Sequence, residues 1–260
     1  MTGILVTATV APLLAAPSLQ SEQLSQLVLG EGAEVLETQG DMLRIRPLLD
    51  GYPGWIAAGY TEQRRLGAVE AWLAQAAWSG GGLLSTSSHR AVRAPHRARV
   101  INNGDQSVCL PNGEMAEIVR GDFLSWDEFV ARGRQEPAAE WAWHEFAGTP
   151  YLWGGVTAAG IDCSGLTQNT FLARGVTLPR DAAEQATVGQ AVGVAERQPG
   201  DLLFFRSRDR DRIGHVGILA AHDTMVHSTI DVGGVVRESL APDSRAHALL
   251  ARLVAVRRID

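Results

Sequence analysis

Residues 151–171 read YLWGGVTAAGIDCSGLTQNTF, a glycine-rich turn running directly into a helical stretch that begins at Cys163. Glycines at 154, 155 and 160 punctuate the chain, and the pattern from 163 to 173 predicts a helix. Cys163 therefore stands in a first helical turn, where the macrodipole favours negative charge, so a thiolate is stabilised and the thiol pKa is expected to fall. That is a position for a nucleophile. A free cysteine is as readily a buried structural residue, and Cys163 alone does not separate the two readings.

Outward from this turn, residues 137–147 read as an amphipathic helix. Strands are expected at 202–206, 215–220, 225–229, 235–239 and 251–257. Helices followed by a run of strands indicate an α+β layer fold with an antiparallel sheet. Within it, RIGHVGILAAHDTMVHST (212–229) reads as a hairpin with His215 on one strand and His227 on the other. Side chains alternate faces, so the two histidines share a face only if the registers agree. Pairing His227 opposite His215 or Gly217 requires a connection with an odd number of residues centred near Ala221 or His222, and three-residue hairpin loops satisfy this. His222 then sits in the turn as a solvated residue. A thiolate, an imidazole that holds it and later protonates a leaving amine, and a polar group that orients the imidazole make up a nucleophilic hydrolase site. His227 fits the orienting role. Each histidine alone reads as an ordinary polar residue, and the combination with Cys163 is what counts.

Upstream, strands at 4–10, 26–29, 33–39, 42–47 and 54–57, separated by turns such as Gly40-Asp41 and Asp50-Gly51, predict a small β-barrel. Residues 68–78 form a short helix or strand, and Gly80-Gly81-Gly82 has the composition of a linker. Strands at 98–101, 107–110 and 114–119, with turns at 102–104 and 111–113, suggest a second, less regular barrel. The expected domains are 1–66, 67–135 (a linker plus the second β domain) and 136–260.

The chain has 260 residues, 45% hydrophobic and 20% charged, and a net charge of −6. That balance argues against a nucleic-acid or anionic-membrane partner, which needs a concentrated basic face. The Arg206 to Arg212 run is interrupted by Asp209 and Asp211 and reads as a solvated loop. All 23 basic residues are arginine, which excludes a lysine Schiff base or a P-loop clamp. The only cysteines, Cys109 and Cys163, form neither a disulfide framework nor a metal motif, so a reducing compartment is expected. Residues 1–18 are apolar but lack a basic n-region, the first basic residue being Arg44. No run reaches the ~20 apolar residues that span a bilayer. A cytoplasmic location, no membrane span and no cofactor are the expectations.

Six ordered motifs then carry a resemblance: P-Y-L-W-G-G, I-D-C-S-G-L, L-P-R-D, P-G-D-L-L-F-F, G-H-V-G-I and V-H-S. In this order, over roughly 110 residues, they resemble the NlpC/p60 cysteine peptidases. By pattern the nearest are the γ-D-glutamyl-L-diamino acid endopeptidases that carry bacterial SH3-like domains in front. LVLGEGAEVLETQGDMLRIRPLLDGYPGWI (27–56), with Gly54-Trp55 closing the last hairpin, is similar to such a domain. The resemblance implies an α+β, papain-like catalytic domain with an antiparallel sheet behind small SH3-like β-barrels. It makes Cys163 the nucleophile, His215 the general base and acid, and His227 the residue that orients it. Tyr151 would line the oxyanion site, Asp162 and Ser164 would bind the free amine of an N-terminal L-alanine, and Arg180 and Asp181 would touch substrate or pair to fix their loop. Ala182 stands where some members have serine. Trp153 reads as a wall residue of the core. Tyr52, with Tyr60 second, is the candidate aromatic from the first domain that closes the cleft, the alternative being a barrel-surface tyrosine. The implied substrate is a murein-derived peptide, L-Ala-γ-D-Glu-diamino acid, cut after γ-D-glutamate during cell-wall peptide recycling. Two other readings are an exported hydrolase of intact peptidoglycan and a non-catalytic wall-binding protein.

Overall fold

The apolar start of the chain forms two strands, not the single one expected over 4–10. They are β1 (Thr2–Val6) and β2 (Val10–Leu14). Between them Thr7 and Ala8 donate their N–H groups to Tyr60 O, which turns the chain and sends β1 and β2 to different partners. With β3 (Gln23–Val28), β4 (Gly32–Gln39), β5 (Met42–Pro47), β6 (Gly54–Ala57) and β7 (Thr61–Arg65) they make an antiparallel sheet ordered β3-β2-β6-β5-β4-β1-β7. Ile4, Val6, Leu13, Leu27, Leu43 and Ile56 share its core. A Cβ on Gly54 would lie 2.6 Å from Leu13 Cγ, so glycine is what allows β6 to close against β2. Gly54 and Trp55 thus lie inside the sheet, with β7 still to follow.

Helix α1 (Leu66–Gln75) comes next, then β8 (Ala77–Thr86), β9 (Ala91–Gly104), β10 (Ser107–Cys109) and β11 (Met115–Leu124), which close a barrel ordered β10-β11-β8-β9, and α2 (Trp126–Gly133). The glycine triplet that composition marked as a linker lies within β8. It serves a sharply bent barrel wall: pairing of β8 with β9 and β11 slips beside it, and a Cβ on Gly121 would sit 2.2 Å from Gly81 O. Glycine in a strand marks such bulges and close backbone crossings.

The computed structural model describes residues 1–208 and 211–260, so Asp209 and Arg210 of the basic run lie outside the described residues. The described chain divides into two units, Met1–Ala131 and Arg132–Asp260.

In the second unit α3 (Ala138–Phe146) precedes a small hairpin, β12 (Val156–Thr157) and β13 (Gly160–Ile161), which leads into α4 (Cys163–Leu172). After α5 (Ala182–Gln185) come β14 (Gln190–Ala191), β15 (Leu202–Arg206), β16 (Ile213–Ala220), β17 (Thr224–Thr229), β18 (Gly234–Ser239), α6 (His247–Leu250) and β19 (Leu253–Arg258). The strands form an antiparallel sheet ordered β14-β19-β15-β16-β17-β18. One face packs Leu203, Phe205, Leu219, Met225 and Val256 with Leu240 and Leu249, while α4 packs on β16 and β17. Every α4 residue is buried, so the helix has no solvent face to encode as an apolar stripe. Buried polar side chains tie it to its neighbours: Thr167 Oγ1 donates to Gln185 Oε1 (2.7 Å), Gln168 to Leu178 O (3.1 Å) and Asn169 to Val156 O (3.1 Å). The P-G-D motif anchors β15, with buried Asp201 accepting Gln198 N–H (2.8 Å) and two hydrogen bonds from Arg258 (2.8 and 2.9 Å). Among the described residues no helix is long and apolar enough to cross a membrane.

Candidate active site

The turn before α4 brings backbone against backbone. A Cβ on Gly155 would lie 2.4 Å from Gly160 O, and one on Gly165 would lie 2.3 Å from Gly155 O. Asp162 caps the helix, its Oδ1 accepting Gly165 N–H at 2.7 Å while Oδ2 accepts Gly154 N–H at 2.9 Å. Such a cap satisfies donors that the helix leaves open. Ser228 of the V-H-S motif ties β17 to this turn by donating to Ile161 O at 2.7 Å.

Cys163 is thereby set at the first position of α4, buried, its sulfur hydrogen-bonded by the backbone N–H groups of Val216 and Ser164. Burial, followed by the adjacent Asp162 charge, pushes the thiol up to about 12, against the pull of those N–H groups and of Arg180. The lowered pKa expected from the helix terminus is thus overturned. A helix end supplies roughly 0.3–1 kcal/mol to an exposed charge, and loss of hydration outweighs that here.

The histidines meet across the β16–β17 hairpin. Its turn is Ala221–Asp223, three residues centred on His222, which is exposed and left-handed (φ 56°). The pairs Ile218–Val226 and Leu219–Met225 continue to place Gly217 opposite His227, the second of the two registers considered. A Cβ on Gly217 would lie 3.2 Å from His227 Cβ and 2.4 Å from Met225 Sδ, so the glycine leaves room for His227. His215 Nε2 and His227 Nδ1 are 2.8 Å apart. Burial, and then His227, depress the His215 pKa to about 3.

Behind His227 stands a residue that the sequence reading missed. His227 Nε2 lies 2.9 Å from Glu238 Oε2, and His227 itself has no exposed surface. Arg245 grips the same carboxylate, Nε donating to Oε1 at 2.9 Å and NH2 to Oε2. The hydrogen bond to His227 is the largest cause holding Glu238 down at about 2. A signal existed: Glu238 pairs with Met225, two residues from His227, so the alternation rule puts it on the histidine face.

The remaining candidates divide. Tyr151 feels the charges of Cys163, Asp162 and Arg180, and burial raises its pKa, so its hydroxyl stays a donor. Asp162, Ser164 and Arg180 form one buried cluster. Arg180 NH2 and NH1 bind Asp162 Oδ2 and Oδ1 at 2.6 and 3.1 Å, and NH1 also reaches Ser164 Oγ at 2.8 Å. With the Gly154, Gly165 and Ser164 donors added, both Asp162 oxygens are engaged, so Asp162 holds the turn. The Arg–Asp pair that fixes this loop is Arg180–Asp162; Asp181 is exposed and adds a weaker electrostatic contribution to Arg180. Trp153, expected in a core wall, is 55% exposed, beside the left-handed turn at Gly154 (φ 73°). Tyr52 and Tyr60 are half-buried against the core of the first sheet. Ala182 is buried at the start of α5.

Comparison with known proteins bears on this arrangement. The NlpC/P60 family profile matches residues 148–253, and that of the bacterial dipeptidyl-peptidase Sh3 domain matches 13–59. The chain carries an NlpC/P60 domain behind a bacterial SH3 domain. The NlpC/P60 domain is of the cysteine-peptidase class. A probable endopeptidase of Haemophilus influenzae is 45% identical over 98 residues, 37% of this chain and 60% of that protein. Two proteins named gamma-D-glutamyl-L-lysine dipeptidyl-peptidase also match. The one from Bacillus subtilis is 44% identical over 84 residues, 32% of this chain and 28% of that protein. The one from Bacillus cereus is 25% identical over 231 residues, 78% and 66% respectively. The chain thus spans less than two thirds of each of these relatives. A crystal structure of a Bacillus cereus NlpC/P60 family protein superposes with a TM-score of 0.78, at 21% identity, over 98% of this chain and 99% of that one, which is agreement in fold.

Proposed function

We propose that this chain is a cysteine endopeptidase of cell-wall peptides, cutting the bond between γ-D-glutamate and the following diamino acid in peptides that begin with a free L-alanine. The observation that carries the reading is Cys163 at the head of a buried helix with the His215–His227 pair on the strands against which that helix packs. The relatives named dipeptidyl-peptidases support the substrate class and the release of an N-terminal dipeptide.

In this mechanism the resting pair is a neutral thiol and a neutral imidazole, as the opposed shifts of Cys163 and His215 favour. His215 takes the thiol proton as the sulfur attacks the γ-carbonyl carbon, so no free thiolate need accumulate. The oxyanion is met by the Tyr151 hydroxyl and the Cys163 backbone N–H, donors aimed where charge develops. His215 then protonates the departing amine, the C–N bond breaks, and water activated by His215 releases the L-Ala-γ-D-Glu dipeptide from sulfur.

The test is incubation of the full chain and of Cys163→Ala with L-Ala-γ-D-Glu-meso-diaminopimelate, its lysine analogue, the N-acetylated tripeptide and intact sacculi, with products read by mass spectrometry. Cleavage of the free tripeptides alone, lost in Cys163→Ala, is the expected result. Release from sacculi or from the acetylated peptide would overturn the free-amine requirement, and turnover by Cys163→Ala would overturn the nucleophile.

A further inference from the structure

A neutral imidazole has one donor and one acceptor nitrogen, so a file of histidines between an anion and a nucleophile has a direction set by its far end. Here the far end is Glu238. An ionised carboxylate only accepts, so His227 Nε2 carries the hydrogen of the 2.9 Å contact. His227 Nδ1 is then the acceptor, and the 2.8 Å contact makes His215 Nε2 the donor. The Nδ1 of His215 is left with its lone pair.

We propose that Glu238, held by Arg245, is a positioning residue that selects the tautomer of His215 through His227 and so leaves His215 Nδ1 as the acceptor of the Cys163 proton. The inference rests on the reading of Cys163 as nucleophile. The geometry supplies the links from Arg245 to His215. Glu238 lies on the histidine face of the sheet because it pairs with Met225. Arg245 engages both carboxylate oxygens and also contacts Asp231 Oδ2 at 3.4 Å, while Arg208 reaches that same oxygen at 2.8 Å. After burial, His215 feels His227 first, then the cations Arg252 and Arg245, and against them the Glu238 anion. With both carboxylate oxygens held by Arg245, buried His227 meets a fixed acceptor on its Nε2 side. When His215 takes the thiol proton, the charge it gains lies at the head of two aligned N–H donors that end on Glu238. No proton need pass to Glu238.

The experiment is two-bond ¹H–¹⁵N NMR of the histidine rings in the full chain labelled at histidine, with His215→Gln used for assignment, alongside steady-state kinetics on the free tripeptide. Wild type is expected to show His215 protonated at Nε2 and bare at Nδ1. In Glu238→Gln, whose amide can donate to His227 Nε2, the reversed tautomer is expected to appear at His215. There kcat should fall roughly 10²–10⁴-fold with KM within threefold, the scale seen when a triad imidazole is held in the wrong tautomer. A wild-type His215 protonated at Nδ1 overturns the proposal without any variant, as does Glu238→Gln with an unchanged tautomer and retained kcat. Cys163→Ala separates the two readings: turnover by that variant sinks the nucleophile assignment, while the ring nitrogens still report on Glu238 directly.

Discussion

Cys163 and His215 are the residues on which burial acts most consequentially, one thiol raised to about 12 and one imidazole lowered to about 3. A neutral thiol is a poor nucleophile toward small alkylating agents. Iodoacetamide labelling of Cys163, followed by mass spectrometry, should therefore be slow at pH 7 and accelerate only above pH 9. Thiolate absorbance near 240 nm that titrates near neutrality would contradict this. His215 makes a second prediction. Its folded pKa lies below the unfolded value of about 6.5, so below that pH the unfolded chain binds a proton that the native one refuses. Stability is therefore complete above pH 6.5 and is lost as pH falls toward 3. Glu238, held down at about 2 from an ordinary 4.5, contributes the same direction of loss only below pH 4.5, while Glu31 and Glu145, raised by burial, act in the opposite direction above it, so the His215 share is the difference between wild type and His215→Gln. Urea denaturation at pH 7 and pH 5 should show a fall of roughly 2 kcal/mol in wild type, flattened in His215→Gln.

Among the elements, α4 and its approach carry the tightest constraint. A methyl on Gly165 would stand 2.3 Å from Gly155 O, a contact that only backbone movement relieves, and that backbone carries Cys163. Gly165→Ala should cost about 1–3 kcal/mol, the usual range for overpacking, and should lower kcat more than it raises KM; circular dichroism melts and tripeptide kinetics measure both. The β16–β17 hairpin shows how much register can be read in advance. An odd, three-residue turn centred on His222 follows from requiring the two histidines to share a face, and the strands meet in that register. Glu238 is not legible in the same way, because its face depends on the register across the next turn, residues 230–233. The Gly80–Gly82 linker failed for a different reason: composition does not distinguish a glycine that loosens a chain from one that lets two strands cross.

Over the whole molecule, long-range polar contacts fasten segments that are remote in sequence. In the first unit, β9 docks on the turn after β3. Arg99 N–H donates to Leu29 O at 2.8 Å, and a Cβ on Gly30 would lie 2.0 Å from Arg99 O. Beside this junction Arg97 and Glu31 form a buried ion pair at 3.0 Å, and burial raises the Glu31 pKa despite Arg97. Arg97→Met should cost about 3–5 kcal/mol by stranding a buried carboxylate, and Arg97→Met/Glu31→Gln should recover much of it; urea unfolding of the three proteins decides, and additive losses would refute the coupling. The sequence by itself determined the class of fold, the β-rich front half, the α+β second half and the nomination of Cys163, His215 and His227, since turn residues, strand alternation and ordered motifs are local signals. Tertiary structure alone decided that Asp162 pairs with Arg180, that Trp153 is exposed, that burial raises the Cys163 thiol, and that Glu238 stands behind His227. Pairings across 11 to 66 residues and the hydration lost on burial are properties of the packed chain, and no window of sequence contains them.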